Sequence, residues 1–278
     1  MTTRQSQILH IIANEHRVEV VKLAELANVS QVTIRKDLAV LESKGLIKRQ
    51  HGFAVLNAES DINNRLSVHY ERKVGIAARA VELINDGDVI LVESGSCCTL
   101  LAEQIKRKRK NVTIITYSVY IANHICPSDC NQVILLGGSL LMEPMVTVGP
   151  LAIEALSNFY VDKFFTGTDG ITPDGEFTAK DLIQAEVICK MAKRAKKTIV
   201  LTDSSKFFQQ GTVCLFPAQD VYAVYTDSEC PQTVKELLYE HNVLVNTGEP
   251  DQSEVEAKTT YSWCKPPAQY KPNDTDAK

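Results

Sequence analysis

The sequence lacks any apolar run of the roughly 18 residues that a membrane-spanning helix requires. Its N-terminus is polar and continues directly into a helical pattern, so no signal peptide is visible. Both absences argue against a membrane-bound or exported protein, and we expect a cytoplasmic one. With 278 residues, of which 44% are hydrophobic and 23% charged, the chain is long enough for two ordinary globular domains.

Paired CxxC motifs are absent as well, although the chain contains eight cysteines. These are Cys97, Cys98, Cys126, Cys130, Cys189, Cys214, Cys230 and Cys264. A chain of this size does not need disulfides to fold, and in a cytoplasm its thiols are expected to be reduced. The spacing of Cys126 and Cys130 would allow metal binding, but no second ligand pair lies nearby, so we expect neither a metal site nor a cofactor.

An excess of positive charge is also missing, since the net charge is −4. The charge is unevenly distributed, however. Residues 1–56 contain 8 Lys and Arg against 5 Asp and Glu, whereas the rest of the chain contains 22 against 29. A small basic head on an acidic body is typical of a transcription factor whose body does not contact DNA.

The most informative segment runs from Ser30 to Leu38. It begins with a residue type that caps helices and continues with apolar residues at helical spacing, Ile34, Leu38 and Leu41. A second apolar helix over 20–27 precedes it, and only two residues separate the two. This pattern predicts a helix-turn-helix, whose second helix enters the major groove of DNA.

The flanking segments complete a small domain. A helical pattern over 4–15 precedes the motif, and residues 46–56 predict two short strands that turn at His51 and Gly52. Residues 1–56 are therefore predicted to form a winged helix-turn-helix DNA-binding domain.

The second helix of this motif supplies most of the candidate contacts to double-stranded DNA. Arg35 suits bidentate contact to guanine and Gln31 to adenine, whereas Ser30 can donate to a phosphate. Asp37 disfavours phosphate and is expected to pair with a nearby cation. An alternative is that this head mediates protein contacts. The candidate DNA-binding residues are Ser30, Gln31, Thr33, Arg35, Lys36, Lys44, Lys48, Arg49 and His51.

The remainder of the chain has a different organisation. A polar, aperiodic stretch over 57–72 is predicted to be a linker. Over 73–247, helical patterns alternate with short apolar strands, which predicts an α/β domain with a mainly parallel, doubly wound sheet. Such sheets bind ligands at the carboxyl ends of their strands. Residues 248–278 are rich in charged residues and proline and are predicted to be a disordered tail.

Motifs in both regions follow a specific order and spacing. In the head they are Ser30-x-x-Thr33-Ile34-Arg35-Lys36-Asp37-Leu38, Leu41-Glu42 and Arg49-x-His51-Gly52. Further on they are Arg65, Lys73-x-x-Ile76-Ala77, Asp86-Gly87-Asp88-x-Ile90, Glu93-Ser-Gly-Ser96, Leu136-Gly-Gly138, Gly167-Thr-Asp-Gly-Ile171 and Asp203-Ser-Ser-Lys206-Phe207. Together they resemble the DeoR family of bacterial transcriptional repressors, over almost the whole chain to about residue 246.

This resemblance implies a sensor domain that resembles ribose-5-phosphate isomerase and binds a phosphorylated sugar or sugar alcohol. It implies a repressor of a carbohydrate catabolism operon, not an enzyme, which leaves its operator DNA when the effector binds. A homo-oligomer, either dimer or tetramer, is expected because operators usually consist of paired half-sites. The alternative is a sugar-phosphate isomerase-like enzyme with a DNA-binding head, for which Glu93, Asp169 and Glu186 are candidate general bases.

Several loops of the sensor domain contain candidate effector-binding residues. Residues 94–98 follow a strand and open a helix, so their backbone N–H groups and the helix dipole would favour a phosphate. Asp169 could accept hydrogen bonds from sugar hydroxyls and Lys206 could pair with phosphate. Alternatively, each glycine forms only a turn, and Lys206 forms a surface ion pair with Asp203. The candidates are Ser94, Gly95, Ser96, Cys97, Cys98, Ser118, Gly137, Gly138, Asp169, Gly170 and Lys206.

Five positions depart from the pattern of the family. Cys97 and Cys98 replace threonines, so phosphate binding would depend on backbone groups because thiols are poor donors. Glu93 replaces an aspartate, and Tyr117 replaces an asparagine, which should narrow or reshape the sugar pocket. Phe53 replaces a second glycine at the wing. Adjacent thiols at a helix N-terminus could also have lowered pKa values, which leaves a redox role as an alternative.

Overall fold

The computed structural model describes residues 2–15, 17–43, 46–55, 62–125 and 131–248. These residues form two compact units, one up to residue 55 and one from residue 62 onward. Within the described ranges, every helix is too short or too polar to cross a lipid bilayer.

The first unit is a three-helix domain with a small antiparallel sheet, as the sequence predicts. The sheet has the order β1-β3-β2. Its core consists of apolar side chains from all three helices, with Ile8, Leu23, Ile34, Leu38 and Leu41 fully buried. The elements are α1 Thr3–Glu15, β1 Arg17–Glu19, α2 Val20–Leu26, α3 Gln31–Ser43, β2 Lys48–Gln50 and β3 Phe53–Val55. Strand β1 was not predicted because it lies between two helical patterns and, unlike β2 and β3, has no turn glycine beside it.

The wing turns at the predicted residues. His51 has φ 44° and Gly52 has φ 85°, and they connect β2 to β3. Positive φ at both positions of a two-residue hairpin matches the right-handed twist of the paired strands. The ring of Phe53 lies 4.0 Å beneath the Arg17 guanidinium, which is a cation–π contact between β3 and β1. Phe53 therefore links β3 to β1.

The second unit contains a seven-stranded, entirely parallel sheet with the order β15-β14-β12-β9-β4-β5-β6. The predicted α/β fold with a mainly parallel sheet is confirmed. Its strands are β4 Val89–Val92, β5 Thr113–Thr116, β6 Gln132–Leu135, β9 Val161–Thr166, β12 Ala195–Leu201, β14 Val221–Tyr225 and β15 Leu244–Asn246. Its helices are α4 Ile62–Ser67, α5 Tyr70–Ala80, α6 Ser96–Lys108, α7 Val119–Ile125, α8 Pro150–Leu156, α9 Leu182–Ala192 and α10 Gln232–Glu240.

The order of the strands reverses between β4 and β9. From β4 the chain continues to β5 and β6 on one side, and it then returns to β9, β12, β14 and β15 on the other side. In open parallel sheets, such a switch point leaves a crevice at the carboxyl ends of the strands, where ligands bind. The loops after β4 and β9 are thus the expected location of a site.

Two small antiparallel elements were not predicted. Strands β7 Ser139–Leu141 and β8 Val146–Val148 form a hairpin. Strands β10 Gly170–Ile171, β11 Glu176–Ala179 and β13 Val213–Pro217 form a second sheet, and three short 3-10 helices cover 81–83, 204–208 and 218–220. These strands do not alternate with helices, which is the pattern from which the strands of the parallel sheet were predicted.

The predicted linker needs correction over 62–72. Residues 62–67 form α4, in which Ile62 is 1% exposed and Leu66 is fully buried, and α5 begins at Tyr70. Two apolar residues four apart anchor this segment, although polar neighbours hide their period in the sequence. Residues 57–61, and the predicted tail from 249 onward, lie outside the described residues.

Candidate DNA-binding surface and effector site

A buried carboxylate fastens α3 to α1. Asp37 accepts hydrogen bonds from Arg4 Nε at 2.7 Å and from Gln5 Nε2 at 3.1 Å, and it is almost fully buried. A carboxylate in the interior needs such partners because an unpaired buried charge is costly. The prediction that Asp37 pairs with a cation is confirmed, and the pairing holds α3 against α1.

The opposite face of α3 carries the predicted contacts to DNA. Gln31, Arg35 and Lys36 are exposed, and Thr33 is half-buried. Ser30 Oγ accepts a hydrogen bond from the Thr33 backbone N–H at 3.2 Å and lies 2.9 Å from Thr33 Oγ1. Ser30 thus caps the helix as predicted. The exposed amide and the two cations project from a rigid helix.

The wing contributes a smaller set of available cations than the sequence suggests. Lys48 and His51 are exposed, but Arg49 Nε donates to Glu42 Oε2 at 2.6 Å and its backbone N–H donates to Glu42 Oε1 at 2.8 Å. The hydrogen bond from Arg49 lowers the pKa of Glu42 below its ordinary value. Arg49 joins β2 to the end of α3, so a phosphate would compete with Glu42 for it. Lys44 lies outside the described residues.

In the second unit, Glu93 links two loops at the switch point. Its Oε2 accepts the backbone N–H groups of Gly95 at 2.7 Å and Gly167 at 3.1 Å, and thereby links the loops after β4 and β9. Its Oε1 accepts hydrogen bonds from Ser94 Oγ and Tyr117 Oη, both at 2.9 Å. Ser94 is fully buried, so its hydroxyl and the Gly95 N–H, both predicted as effector contacts, are used inside the protein.

Tyr117 and Ser118 have structural roles at the end of β5. The ring of Tyr117 is fully buried in the core, and burial raises the pKa of its hydroxyl well above the usual value. Tyr117 therefore fills the space behind Glu93. Ser118 Oγ accepts the backbone N–H of Ile121 at 3.2 Å, and Ser118 is buried. Its side chain caps α7, so the predicted effector contact has no geometric support.

The effector contacts predicted for Gly137, Gly138 and Gly170 receive different degrees of support from the structure. A Cβ added at Gly138, where φ is 144°, would collide with the Val148 carbonyl oxygen, and one added at Gly170 would collide with that of Gln209. Both glycines are required by close backbone contacts, which favours the alternative that they serve the backbone alone. Gly137 faces open space after β6 and could still border a ligand.

A cluster of charges lies beside the N-terminus of α6. Lys73 Nζ donates to the carbonyl oxygens of Arg65 and Val68, both at 2.7 Å, and lies 3.6 Å from Asp203 Oδ2. Arg65 Nη2 donates to the Ser94 carbonyl at 3.3 Å, whereas its buried Nε has no hydrogen-bond partner. The pKa of Lys73 is lowered by burial, which the negative charge of Asp203 partly offsets.

Asp203 holds this cluster together. Its Oδ1 accepts hydrogen bonds from His69 Nδ1 at 3.1 Å and from Ser205. Burial alone would raise the pKa of Asp203, but the contacts with His69, Lys73 and Ser205 outweigh it and keep the pKa below its ordinary value. No effector role was predicted for Lys73. Its helical spacing with Ala77 and Ala80, both fully buried, could have indicated a buried lysine.

Lys206 and Asp169, both predicted effector residues, do come together. Lys206 Nζ lies 3.9 Å from Asp169 Oδ1, and Asp169 Oδ2 accepts the Lys180 backbone N–H at 2.9 Å. The alternative ion pair of Lys206 with Asp203 does not form. Burial raises the pKa of the Cys97 thiol in the first turn of α6, and the positive charges of Lys73 and Lys206 partly offset that rise.

The adjacent cysteines do not have activated thiols. Cys97 and Cys98 are buried, and burial raises the pKa of Cys97 to about 12 and that of Cys98 well above its usual value. The alternative of lowered thiol pKa values is wrong because burial outweighs the helix dipole. Side chains of both residues pack inward, and only their backbone N–H groups at the start of α6 could contact an effector. Ser96, beside them, is half-exposed.

A cavity of about 550 Å³ opens at the other end of the sheet. It is lined by residues that begin β4, β9 and β12, together with charged side chains that include Asp162, Arg194 and Lys196. Lys196 pairs with Asp162 at 2.7 Å, and the Arg194 guanidinium stacks on Tyr160. These charges are matched within the protein, and the amino ends of parallel strands are not where such sheets bind ligands.

Comparison with known families gives two matches. A family described as a DeoR-like helix-turn-helix domain matches residues 4–60, and the DeoR C-terminal sensor domain matches residues 68–228. The two matches correspond to the two units of the structure.

Curated relatives match over nearly their full lengths. The chain is 27% identical to the HTH-type transcriptional regulator GolR of Listeria innocua, and the alignment covers 88% of this chain and 98% of that protein. It is 27% identical to the glycerol-3-phosphate regulon repressor of Escherichia coli, with 87% and 97% covered. It is 30% identical to the L-fucose operon activator of Escherichia coli, with 81% and 94% covered.

Among solved structures, ribose 5-phosphate isomerase A from Neisseria gonorrhoeae gives a TM-score of 0.36 at 16% identity. The match covers 49% of this chain and 53% of the isomerase, so the chain spans about half the length of that enzyme. A similarity this distant does not indicate an activity.

Proposed function

Since the chain belongs to the DeoR family of helix-turn-helix transcriptional regulators, we propose that it represses a carbohydrate operon and that a phosphorylated sugar or sugar alcohol releases it from its operator. The printed names of its relatives support this proposal, because they include a glycerol-3-phosphate regulon repressor. The L-fucose operon activator makes activation the second candidate. Repression and activation both require a DNA-binding site and an effector site, and they differ in whether transcription is lowered or raised.

The proposal of DNA binding rests on α3, which is packed against the domain on one side and exposed on the other. Asp37 ties one side of the helix to α1, while Gln31, Arg35 and Lys36 are exposed on the other. An exposed amide and guanidinium are the groups that recognise adenine and guanine edges in the major groove. Lys48 and His51 on the wing would contact the flanking backbone.

The effector site is best supported at the N-terminus of α6. The backbone N–H groups of Ser96, Cys97 and Cys98 belong to the first turn of a 13-residue helix and lack intrahelical acceptors. An anion there gains from the helix dipole and from the charges of Lys73 and Lys206. We add Arg65 to the proposed phosphate ligands. Lys73 contributes its charge only, because its N–H groups face the Arg65 and Val68 carbonyls and Asp203.

Asp169 is the proposed acceptor for sugar hydroxyls. Its Oδ1 is only loosely engaged by Lys206 at 3.9 Å, so a ligand hydroxyl could reach it without breaking a close ion pair. Arg65 Nε, which is buried without a partner, could gain a phosphate oxygen as its acceptor. Gly137, in open space after β6, would border the pocket.

The isomerase alternative receives less support from the same geometry. A general base needs an available lone pair within reach of the substrate. Glu93 accepts four hydrogen bonds from the protein, so its lone pairs are occupied. Asp169 is the one candidate of the three with an accessible oxygen beside the charge cluster, Oδ1, which faces Lys206 at 3.9 Å. Glu186 is exposed on α9, and no described contact connects it with the other two. We therefore propose that the protein senses its ligand and does not convert it.

A gel-shift titration with the promoter region next to the gene tests the proposal. We expect specific binding at moderate salt and release by one member of a panel of phosphorylated sugars and polyols, but not by its dephosphorylated form. Arg35→Ala should lose specific binding and keep effector binding, measured by calorimetry. Absence of any specific complex would refute the proposal, and turnover of a panel compound would favour the isomerase.

A further inference from the structure

Val32 lies at the centre of the outward face of α3, where none of the polar candidates for DNA contact lies. Successive residues of a helix are rotated by about 100°. The buried side chains of α3, which are Ile34, Asp37, Leu38 and Leu41, define its inward direction. Val32 points about 170° away from that direction. By the same geometry Lys36 points about 150° away and Arg35 about 110°.

Burial agrees with this geometry. Val32 is 61% exposed, although it belongs to the first turn of a helix whose other large apolar side chains, apart from Val40, are fully buried. Its side chain therefore contributes little to the core of the domain. An isolated exposed valine is common on protein surfaces and needs no explanation by itself. This one, however, lies between the side chains that would contact DNA.

The surroundings of Val32 identify the partner by charge. Arg35 and Lys36, three and four residues further along, lie on either side of it and are exposed. A protein surface that buried Val32 would also bury two cations, whereas DNA phosphates would neutralise them. The N-terminal turn of a recognition helix is also the part that reaches the base edges.

We infer that Val32 packs against the C5-methyl group of a thymine in each operator half-site and so selects a T·A pair at that position. The inference rests on the proposed function, because it requires α3 to enter the major groove. A thymine methyl is the only apolar group that the major-groove edges display, and aliphatic side chains recognise it by contact. Val32 adds an apolar contact beside the polar contact expected of Arg35.

Deoxyuridine provides the test, because it pairs like thymine and lacks only the methyl group. The operator is first mapped by footprinting, and each thymine in both half-sites is then replaced singly by deoxyuridine. We expect one symmetry-related position per half-site where the replacement weakens binding about fourfold, the value for one buried methyl-sized group. The other thymines should have no comparable effect.

Val32→Ala completes a double-mutant cycle. It should weaken binding to the thymine operator and remove most of the difference between thymine and deoxyuridine at that position. Val40→Ala is the matched control, because Val40 is also exposed on α3 but lies about 12 Å further along the helix axis. Its deoxyuridine profile should equal that of the wild type. Circular dichroism would verify that both variants keep the fold.

The outcomes separate this inference from the function on which it rests. Specific binding without any methyl-sensitive thymine would overturn the inference and leave the proposed function intact. A methyl-sensitive thymine whose effect is unchanged by Val32→Ala would also overturn it, because another residue would then make the contact. Absence of specific DNA binding would overturn both.

Discussion

At the scale of single residues, the proposed effector site is a set of charges that the fold has already paired. Lys73 satisfies two carbonyl groups and faces Asp203, and Lys206 faces Asp169 across 3.9 Å. The loosest of these contacts is the one at Lys206. A phosphate could therefore engage Lys206 at the smallest cost in existing interactions.

Replacing Lys206 gives the sharpest test at this scale. Lys206→Ala should leave operator affinity unchanged and raise the effector concentration for half-release about tenfold or more, the value of a lost hydrogen bond between charged groups. Lys196→Ala is the control, because Lys196 is 79% exposed and pairs with Asp162 at the opposite end of the sheet. Gel-shift titrations at several effector concentrations measure both. An unchanged response in Lys206→Ala would remove this residue from the site.

Single residues also show how much of the candidate sites can be predicted from the sequence. The pairing of Asp37 followed from its charge on a helix that faces DNA, and the structure supplied its partners, Arg4 and Gln5. The contact between Lys73 and Asp203 joins residues 130 positions apart, and no local pattern encodes such a distance. Ser94 belonged to a correct motif but not to the predicted role, because its neighbour Glu93 takes its hydroxyl.

At the scale of elements, the recognition helix depends on α1 for its position. Asp37 connects the two helices, and Arg49 connects the wing to the end of α3 through Glu42. The strands of the large sheet followed from apolar runs that alternate with helices, whereas β7, β8, β10 and β11 lie outside that alternation and were not predicted. Gly138 and Gly170 belong to this second group, because they are explained by the close backbone contacts of these strands.

The link between α1 and α3 can be tested by hydrogen exchange. Asp37→Ala removes the acceptor of two hydrogen bonds and leaves the buried Gln5 amide unsatisfied, so α1 and α3 should open more often. Their amides should exchange about tenfold faster, while those of the seven-stranded sheet should not change.

An exposed ion pair between α1 and α2 is the control for this experiment. Glu15 pairs with Lys22 at 2.6 Å, and both side chains are largely exposed. Exposed pairs contribute little to stability, so Glu15→Ala should leave the exchange of α1 and α3 unchanged. Equal exchange in Asp37→Ala and the wild type would show that the buried pairing does not hold the helix.

At the scale of the whole molecule, the two units have separate tasks and separate charges. The 8 Lys and Arg of the first 56 residues exceed their 5 Asp and Glu, whereas acidic residues dominate the remainder. One head contacts only a short stretch of DNA, so operator binding is expected to need at least two heads on paired half-sites. The oligomeric state is thus part of the proposed mechanism.

Half-site spacing tests this expectation. Insertion of 5 base pairs between the mapped half-sites should rotate one to the opposite side of the helix and greatly reduce affinity. Insertion of about 10 base pairs should restore much of the binding, because it returns both half-sites to one side. Light scattering on the free protein would give the number of subunits. Affinity independent of spacing, together with a monomeric mass, would contradict paired binding.

The division of α3 into a buried and an exposed stripe also has a consequence for the evolution of such regulators. Ile34, Leu38 and Leu41 maintain the domain, while Val32, Arg35 and Lys36 contribute little to its core. After a gene duplication, substitutions on the exposed stripe can give each copy its own operator without a loss of folding. A lineage can therefore acquire new regulatory targets while it inherits one sensor, or retain its targets while the sensor diverges toward another sugar.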